Sequence, residues 1–600
     1  MAKRLNRSEV PEEQTWNLKD LFASNDEWEQ ALNELENLVP EVTQYKGKLH
    51  EGAEQLLGCL EAQAELQKKM ILVGTYANLR SSEDGTDPVN QANAGKLAQT
   101  GAKISAQVSF FDSEVLALPE GTVERYLQEN SELEVFRNSL EDLLERKPYT
   151  LAPETEEVLA SLSEVHQAPY MIYQRSKSSD MDFDSFTTKD GEEYSNSFAL
   201  FEDEYELTPN TEVRHKAYHS FVDTLKQYQN TYAATYATEV KKQVTLSRAR
   251  GYKNVTQMLL QSQKVSEEMY HNQLDTIQKE LAPHMRRFAK LKQKMYGLEK
   301  LSFVDLKAPL DPDFDPASSY EEVSETILKS LDRMGPEYQE IMKEGLSDRW
   351  VDYADNIGKS TGAFCASPYG VHPYILLTFT GKMRGAFILA HELGHAGHLH
   401  LANQHQHVFN TRPSTYFIEA PSTINELLLA DHLLEQTDDP RMRRWVILQL
   451  LGTYYHNFVT HLLEGEYQRR VYDLAEQGVP LTADVLSKQK GEALENFWGD
   501  AVEIDEGAKL TWMRQPHYYM GLYPYTYSAG LTASTAVFQL FKEEGQPAID
   551  RWLEVLKMGG SKTPQELLKY AGVDMSTPDP IKKAVAYVGT LVDELEKSYE

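Results

Sequence analysis

Apolar residues recur at three- and four-residue steps between charges over residues 25–38, 53–79, 97–117 and 155–167. This is the period of helices that bury one face. Asn25 ahead of Asp26-Glu27, and Pro153 ahead of Glu154, supply start signals. Residues 181–194 (MDFDSFTTKDGEEY) break the period, and Asp190-Gly191 between short β-compatible runs predicts a hairpin. Helical text resumes over 209–249 and 266–298, the latter with Pro283 as the place for a kink. Residues 303–320, rich in Pro and Asp, predict a long loop. Between 358 and 381 the chain becomes Gly- and Pro-punctuated around one apolar run, 374–379, which predicts a strand. Helices follow at 383–401, 422–435 and 441–476, with more beyond Pro480. No fixed-period repeat occurs. The pattern is that of a mainly α protein with one small sheet near its middle.

Composition narrows the partners. The 600 residues carry 92 Asp plus Glu against 60 Lys plus Arg, a formal charge of −32. Such a polyanion repels phosphate backbones and anionic lipid, which argues against nucleic-acid and membrane partners. The 33 Tyr, 21 Phe and 7 Trp supply ample core material and argue against disorder. Two cysteines, Cys59 and Cys365, make no disulfide framework and suit a reducing compartment. With no apolar secretory h-region after Met1 and no run of about 18 apolar residues, the expectation is a soluble, cytoplasmic protein.

The chemistry concentrates in His391-Glu392-Leu393-Gly394-His395. On a helix, residues four apart project from one face, so His391 and His395 can occupy two corners of a zinc tetrahedron. Glu392, rotated about 100° away, can reach a water on the metal without ligating it. With 17 His and 92 acidic residues, His-acid-x-x-His arises by chance only about 0.07 times in such a chain. The apolar run Phe387–Ala390 ahead of the motif argues against two merely superficial histidines. A third ligand is needed. His398 shares the face, but lies about 10.5 Å along the axis from His391, too far for one ion. Glu419, an acid in an apolar setting before the next helix, is the better candidate, with Glu426 placed to orient a ligand histidine. The competing explanation is that either glutamate serves the helix dipole. His400, His405 and His407 are expected at the surface, and Cys365 as a buried free thiol.

These residues together resemble the thimet-oligopeptidase family of zinc peptidases. Trp16-Asn17-Leu18-Lys19-Asp20-Leu21-Phe22 and the Asp190-Gly191 hairpin resemble its bacterial oligoendopeptidase F branch. The likeness runs over nearly the whole chain. It implies a two-lobed helical shell around a deep substrate channel, with a small β-sheet beside the zinc-binding helix, in zincin-like fashion. Residues 1–200 would form an N-terminal helical lobe ending in the hairpin, and 201–600 the catalytic zinc metallopeptidase domain. It further implies one Zn2+ per chain on His391, His395 and Glu419, with Glu392 as general base. The family has a His followed by spaced tyrosines that hold the oxyanion. His517 matches it, and Tyr523 and Tyr527 match the four-residue tyrosine spacing, with one residue of difference between the His and the first Tyr. The implied activity is hydrolysis of internal bonds in short unstructured peptides. A zinc carboxypeptidase or dipeptide-releasing exopeptidase is the near alternative, and a non-catalytic peptide-binding shell the distant one. Oligomeric state is not legible. Tyr374–Phe379 is expected as an edge strand that pairs with substrate.

Overall fold

The computed structural model describes residues 4–600. Among these, strands are confined to one hairpin and one three-stranded sheet, and helices form the rest of the regular structure. The first three long helices, Asn25–Thr43, Ala53–Glu83 and Pro88–Val108, pack against one another. Ser24 caps the first by accepting from the Glu27 amide (3.2 Å). Trp28, Leu32, Leu35 and Val39 then fall on its buried side at helical spacing.

Several predicted helices are interrupted. The 97–117 run belongs to two helices, Pro88–Val108 and Phe110–Ala117, parted at Ser109, whose hydroxyl donates to the Ala106 carbonyl (2.9 Å). The 155–167 run is likewise split at Leu162 into Pro153–Ser161 and Ser163–Arg175. Glu267–Tyr296 runs on through Pro283 as one helix. The 441–476 run contains a π-helical turn, Tyr455–Thr460, between Pro440–Tyr454 and His461–Glu476. Such turns are rare and cluster at functional sites. The hairpin forms at Asp190-Gly191, pairing Phe186 with Tyr194 and Thr187 with Glu193.

The sheet corrects one expectation. Tyr374–Leu376 is its central strand, parallel to Val351–Asp352 on one side and antiparallel to Phe364–Ala366 on the other. It therefore has no free backbone edge. The two flanking strands are too short to announce themselves by periodicity. The edge strands are Val351–Asp352, whose outer side meets the 14–17 segment (Tyr353 N–H donating to the Gln14 carbonyl, Asn17 N–H to that of Arg349), and Phe364–Ala366.

Two apolar cores result. One draws on residues between Trp16 and Leu143, the other on residues between Tyr173 and Leu595. The central strand serves both: Tyr374 and Leu376 pack into the first core, Ile375 and Leu377 into the second. Polar ties reinforce the join. The half-buried guanidinium of Arg7 bonds Glu83 (2.8 Å) and Asp352 (2.5 Å), and Lys359 donates to the other oxygen of Asp352 (2.6 Å). No helix among the described residues is long and apolar enough to cross a membrane.

Candidate metal centre and its surroundings

The motif lies within the helix Arg384–His405, and Glu419 opens the next long helix, Glu419–Gln436. Glycine lets these two helices meet. A Cβ on Gly394 would lie 2.5 Å from the Pro421 carbonyl oxygen and 2.6 Å from the Ser422 Cα. The backbone of the second helix occupies the space a side chain would need. A third helix, Pro524–Glu544, approaches from the other side, where a Cβ on Gly530 would come within 2.7 Å of the Glu419 Cβ. Glu419 is thus wedged between two helices.

The Nε2 atoms of His391 and His395 each stand 3.4 Å from the Glu419 Oε2. Two ligand atoms on one zinc at bonds of about 2.0–2.1 Å subtend about 3.3 Å in a tetrahedron. The donor atoms of all three residues lie within 4.8 Å of one another, and the three could hold a metal ion. The set is chemically apt, two imidazoles and a carboxylate. The other nitrogen of His391 is committed: Nδ1 lies 2.6 Å from the Glu426 Oε1, while the Thr453 hydroxyl donates to the second Glu426 oxygen (3.2 Å). That bond puts the hydrogen on Nδ1 and leaves the Nε2 lone pair facing Glu419. Ser422 donates to the Glu419 Oε2 (3.0 Å), which steadies the carboxylate. Burial opposes the charge on Glu419, yet the two imidazoles hold its carboxyl well below the usual range.

Glu392 is 5% exposed, lies near enough to His391, His395 and Glu419 to interact with their charges, and is not part of that cluster. Burial pushes its carboxyl upward, although the neighbouring histidines oppose this. A proton-accepting carboxylate profits from such a shift. His398 is elsewhere: fully buried, packed edge-on to Phe417, with neither ring nitrogen hydrogen-bonded. Burial drives its pKa down to about 3, so it sits there as a neutral ring. Of the other three histidines, His405 is exposed, but His400 and His407 are half-buried against Trp350 and Phe136, respectively. Cys365 stands on the edge strand, half-buried rather than buried. Burial and the negative charge of Glu392 both push its thiol up.

His517, Tyr523 and Tyr527 come together in a second group. Their ring centroids are 5.4 Å (His517–Tyr523), 5.8 Å (His517–Tyr527) and 5.3 Å (Tyr523–Tyr527) apart. Burial raises the Tyr527 hydroxyl, with the charges of Glu419 and Glu464 adding to the effect. This phenol keeps its proton. The sequence reading missed the residues beneath this group. His461 stacks on Tyr527 (4.2 Å, 16°) and bonds Glu464 (2.7 Å), and His456 touches His461 (3.0 Å between Nε2 atoms). A His-x4-His-x2-Glu spacing in a predicted helix was the available signal.

Comparison with known proteins adds to this geometry. The profile of peptidase family M3 matches residues 205–587, and that of oligopeptidase F matches residues 114–183. The oligopeptidase PepF of Bacillus subtilis is 32% identical over 592 residues, covering 99% of this chain and 88% of that one. The group B oligopeptidase PepB of Streptococcus agalactiae is 28% identical, with 98% of each chain covered. Among solved structures, the oligoendopeptidase-F of Enterococcus faecium superposes with a TM-score of 0.74 at 26% identity, over 96% of this chain and 99% of that one.

Proposed function

The chain belongs to peptidase family M3, and from that premise we propose that it is a zinc-dependent endopeptidase that hydrolyses internal bonds of short oligopeptides. The observation that carries this is the 3.4 Å convergence of His391 and His395 on Glu419, with Glu392 beside it. His391, His395 and Glu419 would hold one zinc ion. Bound there, zinc supplies Lewis acidity, which polarises a carbonyl and lets water lose a proton near neutral pH.

The chain's own groups do the rest. Glu392, buried and shifted upward, takes the proton of the attacking water and delivers it to the leaving amine. Glu426 keeps the His391 lone pair aimed at the ligand point. His517 and the hydroxyls of Tyr523 and Tyr527 donate to the oxyanion of the tetrahedral intermediate. The free edge of Phe364–Ala366 offers main-chain hydrogen bonds to an extended peptide, a mode tolerant of side-chain identity.

The test is metal analysis of the purified protein beside cleavage of an internally quenched peptide blocked at both ends. One zinc per chain and cleavage at an internal bond are expected. Trimming of unblocked peptides with the blocked one left intact would make it an exopeptidase. Full zinc loading without any cleavage would leave a binding shell.

A further inference from the structure

Glu464 is a buried acid that the proposed chemistry does not use. Its side chain is 3% exposed, on the helix His461–Glu476 that begins where the π-helical turn ends. Three basic groups face it. The His461 Nδ1 bonds its Oε2 at 2.7 Å, the His517 Nδ1 faces the same oxygen at 4.0 Å, and the Lys490 ammonium lies close enough to interact with its charge. The His517 Nδ1 is itself buried and has no hydrogen-bond partner, and Lys490 reaches only the Tyr518 hydroxyl, at 3.5 Å. An unpaired buried ring nitrogen is costly unless something completes it.

We propose that Glu464 is a positioning residue for the oxyanion-holding group: it orients His517 directly through Nδ1, and Tyr527 indirectly through the His461 ring stacked beneath it. The inference rests on the oxyanion role given above to His517 and Tyr527.

The geometry supplies the reasons. A carboxylate facing Nδ1 fixes a hydrogen on that nitrogen and turns Nε2 away from it. Donation from Nε2 then requires the doubly protonated ring, whose charge the buried carboxylate balances. At 4.0 Å, with Nδ1 otherwise unpartnered, the pull of the carboxylate on this ring is electrostatic. On the other branch, His461 is held at both nitrogens, by Glu464 and by His456, so its plane is fixed. Tyr527 lies on that plane at 4.2 Å, which restricts where its hydroxyl can point. One carboxylate thereby sets two donors contributed by separate segments. Losing either donor's aim by an ångström is expensive in a transition-state contact.

His461, Glu464 and His517 also satisfy the distance criterion for a metal site. Two features disfavour that role. The His461–Glu464 separation of 2.7 Å is a hydrogen bond, shorter than the about 3.3 Å between ligands of one tetrahedral zinc. A buried lysine near Glu464 would also repel a dication.

The experiment uses the full-length zinc-loaded enzyme and an internally quenched peptide. Glu464→Gln is expected to lower kcat about 10- to 100-fold, with KM nearly unchanged and one zinc retained. Combined with His517→Ala, it should cost less than it costs in the parent, keeping only the part that acts through His461 and Tyr527, because the aim of an absent ring cannot matter. His461→Asn supplies a second branch should Glu464→Gln fail to fold. Its loss in kcat should vanish in a Tyr527→Phe background. Full activity in Glu464→Gln, or additive losses in both double variants, would overturn the proposal. Two zinc ions per chain, falling to one in Glu464→Gln, would overturn it in favour of a metal site. If His517→Ala and Tyr527→Phe are themselves fully active, the oxyanion role fails instead. A loss in His517→Ala with none in Glu464→Gln sinks only the positioning role.

Discussion

At the scale of single residues, three glutamates near the motif have different duties because of what each touches. Glu419 faces two imidazole nitrogens, Glu426 binds the far side of one imidazole, and Glu392 touches neither ligand point. Glu392→Gln should therefore keep its zinc and lose about 10²–10⁴-fold in turnover, read by metal analysis and peptide cleavage on one preparation. Glu419→Ala should lose zinc at concentrations where the parent retains it, whereas His398→Ala should stay fully loaded. Retention by the first and loss by the second would reverse the ligand assignment. The motif histidines and Glu392 were legible because i, i+4 spacing is a local property of a helix. His461 and Glu464 were not, since their meaning comes from a ring 66 residues later that folds onto them.

At the scale of elements, close helix approach holds Glu419 at its 3.4 Å spacing from His391 and His395, the proposed ligands. Gly394→Ala inserts a methyl where the Pro421 carbonyl and Ser422 Cα already lie, and pushes Glu419 off the ligand point. Its helices should still form, with helical circular dichroism preserved. Zinc affinity should fall by more than tenfold, as about 1.4 kcal/mol of distortion suffices. Unchanged zinc affinity would mean the helices part without moving the carboxylate. Sequence periodicity locates most helices but not their breaks at Ser109 and Leu162 or the π-helical turn, which leave the apolar spacing intact. Strands of two or three residues carry no period at all. Only the longer apolar run 374–379, which contains the Tyr374–Leu376 strand, was visible, while its neighbours, and hence its central position, were not.

At the scale of the whole molecule, a buried ion cluster ties distant segments and makes stability depend on acid. Glu206 is held by Arg514 and Lys307. Burial opposes its charge, but these cations bring its carboxyl down to about 2. A depressed folded-state pKa gives stability that is present above the unfolded value near 4.5 and is lost as pH falls from there toward 2. The contribution is about 3 kcal/mol at neutral pH. Urea midpoints measured between pH 6 and 3 should accordingly fall more steeply for the parent than for Glu206→Gln, and parallel curves would refute the assignment. Substrate size is the second expectation at this scale. If the site lies in the enclosed channel that the family resemblance implies, short unstructured peptides should be cut and a compact folded protein left intact. A reduced, alkylated chain cut as fast per site as a short peptide would show that no enclosure acts. The central strand has a consequence for how the chain is made. Its Tyr374 and Leu376, with Val408, complete a core whose other buried members all lie before residue 144. On a ribosome adding about 5–20 residues per second, those helices wait about 10–50 s for their last partners to emerge. Throughout that interval they present an unfinished apolar face to the cell, the face on which a nascent-chain chaperone would act.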